Sequence, residues 1–142
     1  MSTTPLVKDL VLLLVANRTS LGIPTTVRMD RLMESGDSIS VAMNGVPKTE
    51  KEYINGAKVR QASFGVLAVT SEAVSDIQNL AAFAWLEAIG SLFEGMNNFS
   101  LSSGRTIIEA TQVTMPTIVS RTDTGRITYV LNISIKYREE AQ

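Results

Sequence analysis

The 142-residue chain contains no cysteine and no histidine. Together these absences exclude disulfides, thiol nucleophiles, imidazole bases and the usual zinc ligand sets. Charge of one sign is lacking too. Thirteen Lys plus Arg stand against fourteen Asp plus Glu, a formal charge of −1. The chain has no broad basic excess of the kind a dedicated nucleic-acid binder carries, although local patches stay open. A long uninterrupted hydrophobic run is the last absence. The most apolar stretch, PLVKDLVLLLVAN (5–17), is broken by Lys8 and Asp9, whereas a membrane-spanning helix needs about 20 apolar residues. No membrane association is expected. Secretion is not expected either, because Lys8 and Asp9 cancel where a signal peptide is positive and VANRTS is a poor cleavage site.

With 44% hydrophobic residues, the length fits one domain over 1–142 with an ordinary core. Residues 5–17 read as a helix with Pro5 in the first turn, Thr3 or Thr4 as cap, and an end between Asn17 and Gly22. Leu6, Leu10, Leu13 and Leu14 form its stripe. Val7, Val11, Leu12 and Val15 carry the apolar surface almost all round, so the far side is either packed in the core or set against another subunit.

The segments 25–32 and 38–44 read as a hairpin turning at Gly36 and Asp37, with Ile39, Val41 and Met43 inward and Ser38, Ser40 and Ala42 outward. GVPKTEKEYING (45–56), bounded by glycines and mixing Lys48, Glu50, Lys51 and Glu52, reads as a long exposed connection. Residues 57–70 become apolar on both faces after Phe64, as in a central strand. The period then changes. Residues 71–94 form one long central helix, capped by Thr70 or Ser71 and ended by Gly95. Its expected stripe is Val74, Ile77, Leu80, Ala81, Ala84, Ala88, Ile89 and Leu92, with Phe83, Trp85 and Leu86 beside it and free for a second packing partner.

TIIEATQVTMP (106–116) is a strand that Pro116 terminates or leaves at an edge, and the segment from Thr117 forms a hairpin turning at TDTG. In the last strand, Ile127, Tyr129, Leu131, Ile133, Ile135 and Tyr137 alternate with Arg126, Thr128, Val130, Asn132, Ser134 and Lys136, one face apolar and the other mostly polar. Such a strand belongs to a sheet covered on one side only. The expected class is α+β, an antiparallel or mixed sheet with an N-terminal helix and the central helix on one face, and a core joining Ile77, Leu80 and Ala84 to Ile133 and Ile135.

Candidate chemistry is thin. Glu72 and Asp76, four apart on a helix, suit the positive helix end better than a metal site that lacks further ligands. Gly45, Gly56 and Gly65 are not followed by the Lys and Ser or Thr of a phosphate loop. Sequons at Asn17, Asn98 and Asn132 are short enough to arise by chance. Arg105, Arg121 and Arg126 flank the C-terminal connections and read as a basic patch or as separately solvated charges. No catalytic, cofactor-binding or metal-binding residue is assigned.

The order VRMDRL…GDSISVAMNG…YINGAKVRQASFGVLAV, then AVSDIQNLAAFAWLEAI, then PTIVSRTDTGRITYVLNISIKY, resembles the tail terminator or minor capsid (head-tail joining) proteins of long-tailed bacteriophages, over residues 5–138. Its best parts are YINGAK…F and the closing P…R.D.G…Y.LNI.I.Y hairpin. The resemblance implies α+β subunits that assemble as a ring, typically a hexamer, on the last ring of the tail tube. There they stop polymerisation and meet the head-tail connector or stopper protein, without covalent chemistry. The chain would be made in the host cytoplasm and end in the virion neck. On this reading Leu12, Val15, Phe83 and Leu86 meet neighbouring subunits, Lys48, Glu50, Lys51 and Glu52 form a partner-contact loop, and Thr128, Asn132 and Ser134 face a channel through which DNA passes non-specifically. Another neck or tail role, as head-tail stopper or tube protein, is the nearest alternative. A small α+β ligand-binding module is a more distant one.

Overall fold

A computed structural model describes residues 6–23, 27–29, 38–45, 47–69, 76–101, 104–121 and 127–140. In chain order these form α1 (Leu6–Ala16), α2 (Arg18–Leu21), β1 (Val27–Met29), β2 (Ser38–Met43), β3 (Lys48–Glu52), β4 (Lys58–Val69), α3 (Asp76–Glu94), β5 (Asn97–Ser100), β6 (Thr106–Val113), β7 (Thr117–Arg121) and β8 (Ile127–Glu139). The expected helix caps and the hairpin turns at Gly36–Asp37 and TDTG lie outside the described residues.

Two long strands organise the sheet. β4 and β8 pair antiparallel from Lys58↔Glu139 to Val69↔Thr128. Along the free side of β4 lie β2 and β3, along the free side of β8 lie β6 and β7, and β1 and β5 sit outside β2 and β6. β6 and β7 are one strand interrupted at 114–116, since both run antiparallel to β8, at 133–138 and 127–130 respectively. Pro116 has no N–H to give to the ladder, and Thr114 bridges the break instead. Its backbone N–H donates to the Asn132 carbonyl, and its hydroxyl accepts from the Asn132 N–H at 3.2 Å. The described residues therefore form an α+β structure with a mostly antiparallel sheet.

The alternation in β8 decides which face is covered. Tyr129, Leu131, Ile133, Ile135 and Tyr137 are buried, and the register sets Ala68, Val66, Phe64, Ala62 and Arg60 of β4 beside them. Leu6, Leu10, Leu13 and Leu14 of α1 and Ala82, Trp85, Leu86, Ile89 and Phe93 of α3 join the same core. Phe64 and Phe93 meet edge to face at 5.4 Å. Each such large apolar side chain contributes about 1.5–3 kcal/mol by leaving water. The leucine stripe of α1 is as expected, and α2 ends at Gly22, whose left-handed φ of 72° lets its N–H close back on Thr19.

Three expectations are corrected. The stripe of α3 is rotated: Ala84 is exposed, whereas Trp85 and Leu86 are buried. The set 82, 85, 86, 89 and 93 places Trp, Leu, Ile and Phe against the sheet, where the expected set offered Ala81, Ala84 and Ala88 beside Ile89 and Leu92, and the larger side chains gain more from burial. The side chains of Ile77 and Leu80 lie outside the described residues. β1 and β2 do not form an antiparallel hairpin but pair in parallel, Val27 beside Ile39. Period-2 alternation assigns faces and is blind to strand direction. On the outward side Ser38 and Ser40 are buried rather than solvated. Finally, the exposed connection at 45–56 contains a strand, β3, hydrogen-bonded to β4 and turning back through Tyr53–Gly56. Its lysines and glutamates can pair with a neighbouring backbone without burying their heads. No helix of the described residues is long and apolar enough to cross a membrane.

Candidate interaction surfaces

The sheet face turned away from the helices is lined in its middle by Asn44, Gln61, Ser63, Gly65, Thr111, Thr114, Asn132 and Ser134. Most of these residues bond to one another. The hydroxyls of Ser63 and Ser134 are 2.7 Å apart, Gln61 Nε2 donates to Thr111 Oγ1 at 3.5 Å, and Thr111 Oγ1 donates to the Ser134 carbonyl at 3.0 Å. Asn44 Nδ2 donates to Asn132 Oδ1 at 3.3 Å. Gly65 lies beneath that last pair, and a Cβ there would stand 3.3 Å from Val130 Cγ2 and within 3.7 Å of both asparagine oxygens. The expected channel-facing residues share this face: Asn132 is exposed, Ser134 is half-buried against Ser63, and Thr128 is half-buried beside Val69. Among the described residues, the middle of the face carries hydrogen-bonding groups and no formal charge.

Charge gathers at one end. Lys136 reaches Glu50 of β3 at 3.4 Å, and Arg138 pairs with Glu140 at 3.0 Å. Lys48, Glu50, Lys51 and Glu52 are all exposed, as expected of a contact segment, but they are held on a strand. The turn that follows projects Ile54 wholly into solvent, while Tyr53 receives Lys51 and Arg138 on its ring at 5.1 and 5.3 Å.

On the helix side, the sequence reading misses a buried ion cluster. Asp9 of α1 is 1% exposed, and its Oδ2 lies 2.7 Å from Nη1 of Arg105, itself 8% exposed at the start of β6. Arg105 Nη2 also reaches Glu139 Oε1 at 3.4 Å, and Glu139 Oε2 lies 3.5 Å from Arg60 Nε. Arg105 is thus neither a solvated charge nor part of a surface patch; it ties α1 to the ends of β4, β6 and β8. The signal was present in the sequence: Asp9 falls three residues after Leu6 and four before Leu13, on the buried stripe, where a carboxylate demands a partner. Tyr137 borders the cluster. Burial pushes its phenol above the usual value of 10.0, Arg60 and Arg105 pull it back, and Glu139 adds to the rise.

Of the expected subunit-contact residues, Leu12 and Val15 are exposed at 43% and 41%, and Phe83 is half-buried with its ring edge-on to Tyr129 at 5.8 Å. Leu86 is fully buried in the core and unavailable to a partner, for the same rotation that exposes Ala84. Other exposed apolar side chains are Phe99 on β5 and Met115, Ile118 and Val119 around the start of β7. Two clefts accompany them. One, of about 330 Å³, lies between α1 and β5, lined by Leu12, Leu13, Ala16, Phe99 and Leu101. The other, of about 180 Å³, lies between α3 and the β6–β7 break and includes Glu87 and Glu94. These carboxylates are seven residues apart, about 10 Å along the helix axis, too far to share a proton or a metal ion.

Protein-family models and curated proteins yield no match to this chain.

Proposed function

We propose that the chain is a structural, non-enzymatic protein of the neck of a long-tailed bacteriophage: a tail terminator whose copies form a ring, typically of six, that ends tail-tube growth and joins the tail to the head connector. One observation carries the reading. Among the described residues, a sheet whose one face is covered by α1 and α3 leaves the middle of the other face lined by amides and hydroxyls that bond to each other. Around a channel such a face would let DNA pass, because phosphate attraction grows with each Lys or Arg contact and the described residues in the middle of this face offer none. The charged β3 segment and the exposed Ile54 turn at its end would then meet the tube protein on one side or the connector on the other. The absence of His and Cys from the sequence and the wide separation of Glu87 and Glu94 favour assembly over catalysis.

The test is an image of the assembled particle. A closed ring of this chain at the head-proximal end of the tube is expected. Density for it anywhere but the neck, or an open filament there, rejects the proposal. A neighbouring role as head-tail stopper keeps the same ring and changes the partner, and binding of the purified chain to heads but not to tails would select it.

A further inference from the structure

We infer that two dissimilar patches of this chain are the two halves of one head-to-tail contact between copies. The first is on the α1 side: Leu12, Val15 and Phe99, exposed at 43%, 41% and 37%. The second surrounds the β6–β7 break: Met115, Ile118 and Val119, exposed at 70%, 52% and 54%. Among the described residues these six make up most of the exposed large apolar side chains, the others being Tyr53 and Ile54 of the β3–β4 turn. Each patch adjoins a cleft, so a protruding side chain of one copy has a recess to enter on the next.

Charge identifies the occupant as a second copy. Lys8, four residues before Leu12 on α1, and Arg18, three residues after Val15 on α2, are exposed, and Glu87 and Glu94, which line the second cleft with Met115, are exposed too. None of the four makes an ion pair within the described residues. Among the described residues, then, two cations without an ion pair stand on the side of one apolar patch and two such anions on the side of the other, on a chain whose formal charge is only −1. Joining like to like would oppose Lys8 and Arg18 to themselves, or bring four carboxylates together. Joining unlike patches satisfies both rims, and complementary rims select partners and register. A contact between different surfaces is heterologous, so its repetition closes a ring or runs on as a filament. The inference rests on the terminator reading only for that closure.

The test uses the chain alone, with each patch blocked in turn. One variant carries Leu12→Asp and Val15→Asp, the other Ile118→Asp and Val119→Asp. Both change exposed side chains, and the two blocked patches repel rather than attract. In sedimentation velocity at about 50 mM NaCl, where screening is weak, the parent is expected to associate and each variant to stay monomeric. Their mixture should form a one-to-one dimer that does not extend. A parent that stays monomeric, a blocked variant that still dimerises, or a mixture that stays monomeric overturns the inference. A second set avoids the apolar positions. Lys8→Glu with Arg18→Glu should weaken parent association about tenfold, and adding Glu87→Lys with Glu94→Lys should restore it. Failure of that rescue also overturns the charge pairing. Pairing of the blocked variants by a chain absent from the neck would leave this contact standing and reject the terminator function. A neck ring that assembles with both patches blocked would do the reverse.

Discussion

Asn44 and Asn132 reach each other across Gly65, their amides 3.3 Å apart above the one residue of β4 that has no side chain to separate them. Neighbouring strands lie about 4.8 Å apart, so residues two strands apart touch only where the intervening position is empty. Replacing Gly65 by Val should break the asparagine pair and press on Val130, at a cost of about 1–3 kcal/mol by urea unfolding. Unchanged stability would show that the outer face repacks freely.

The buried ion cluster yields an asymmetric prediction. Arg105→Met removes the guanidinium from its buried pair with Asp9 and from Glu139, and should destabilise the fold by about 3–5 kcal/mol. Adding Asp9→Leu to that variant should recover most of the loss, because an apolar pair of similar volume needs no counter-ion. Chemical denaturation of the two variants decides it, and equal losses would contradict the pairing.

The rotation of α3 is checked by two substitutions of adjacent sides. Ala84→Glu changes an exposed position and should move stability by no more than about 0.5 kcal/mol. Leu86→Glu buries a carboxylate without a partner and should cost several kcal/mol, or prevent folding altogether. The reverse ranking in thermal melts would restore the alanine stripe.

Tyr137 makes stability fall in alkali. Burial raises its pKa above the usual 10.0 in the folded chain, so between the unfolded and folded values the unfolded chain has lost a proton that the folded chain keeps. The contribution is complete below about pH 10 and is lost as pH rises through the folded pKa. Absorbance titration should show a tyrosine ionising above the usual value of 10.0 that is lost in Tyr137→Phe, and the same substitution should flatten the alkaline decline measured by denaturant unfolding.

On the terminator reading, Asn132→Lys with Ser134→Lys adds cations to the open face of each subunit. The variant should fold and join particles, while DNA release slows, because each new phosphate contact adds to retention and weakens with salt. Release kinetics at low and high salt measure it, and rates equal to the parent's would count against a channel position for this face.

The sequence by itself determined what depends on near neighbours. The six-fold alternation from Ile127 to Tyr137 assigned the buried face of β8, the leucine spacing assigned that of α1, and Pro116 marked the break between β6 and β7. Each signal is local, written in a period of two or 3.6 residues or in one missing N–H. The exposed, charged character of 48–52 was legible for the same reason, although its strand pairing with β4 was not. Tertiary structure alone decided the rest. The parallel direction of β1 beside β2 depends on where the chain enters the sheet, which alternation does not encode. The face that α3 presents is the one that meets the sheet, with Phe93 edge to face against Phe64, a residue distant in sequence. Asp9 and Arg105, 96 positions apart, form one buried pair because only the assembled sheet brings the start of β6 under α1. Removing two charges from water is tolerable only when the fold supplies each to the other.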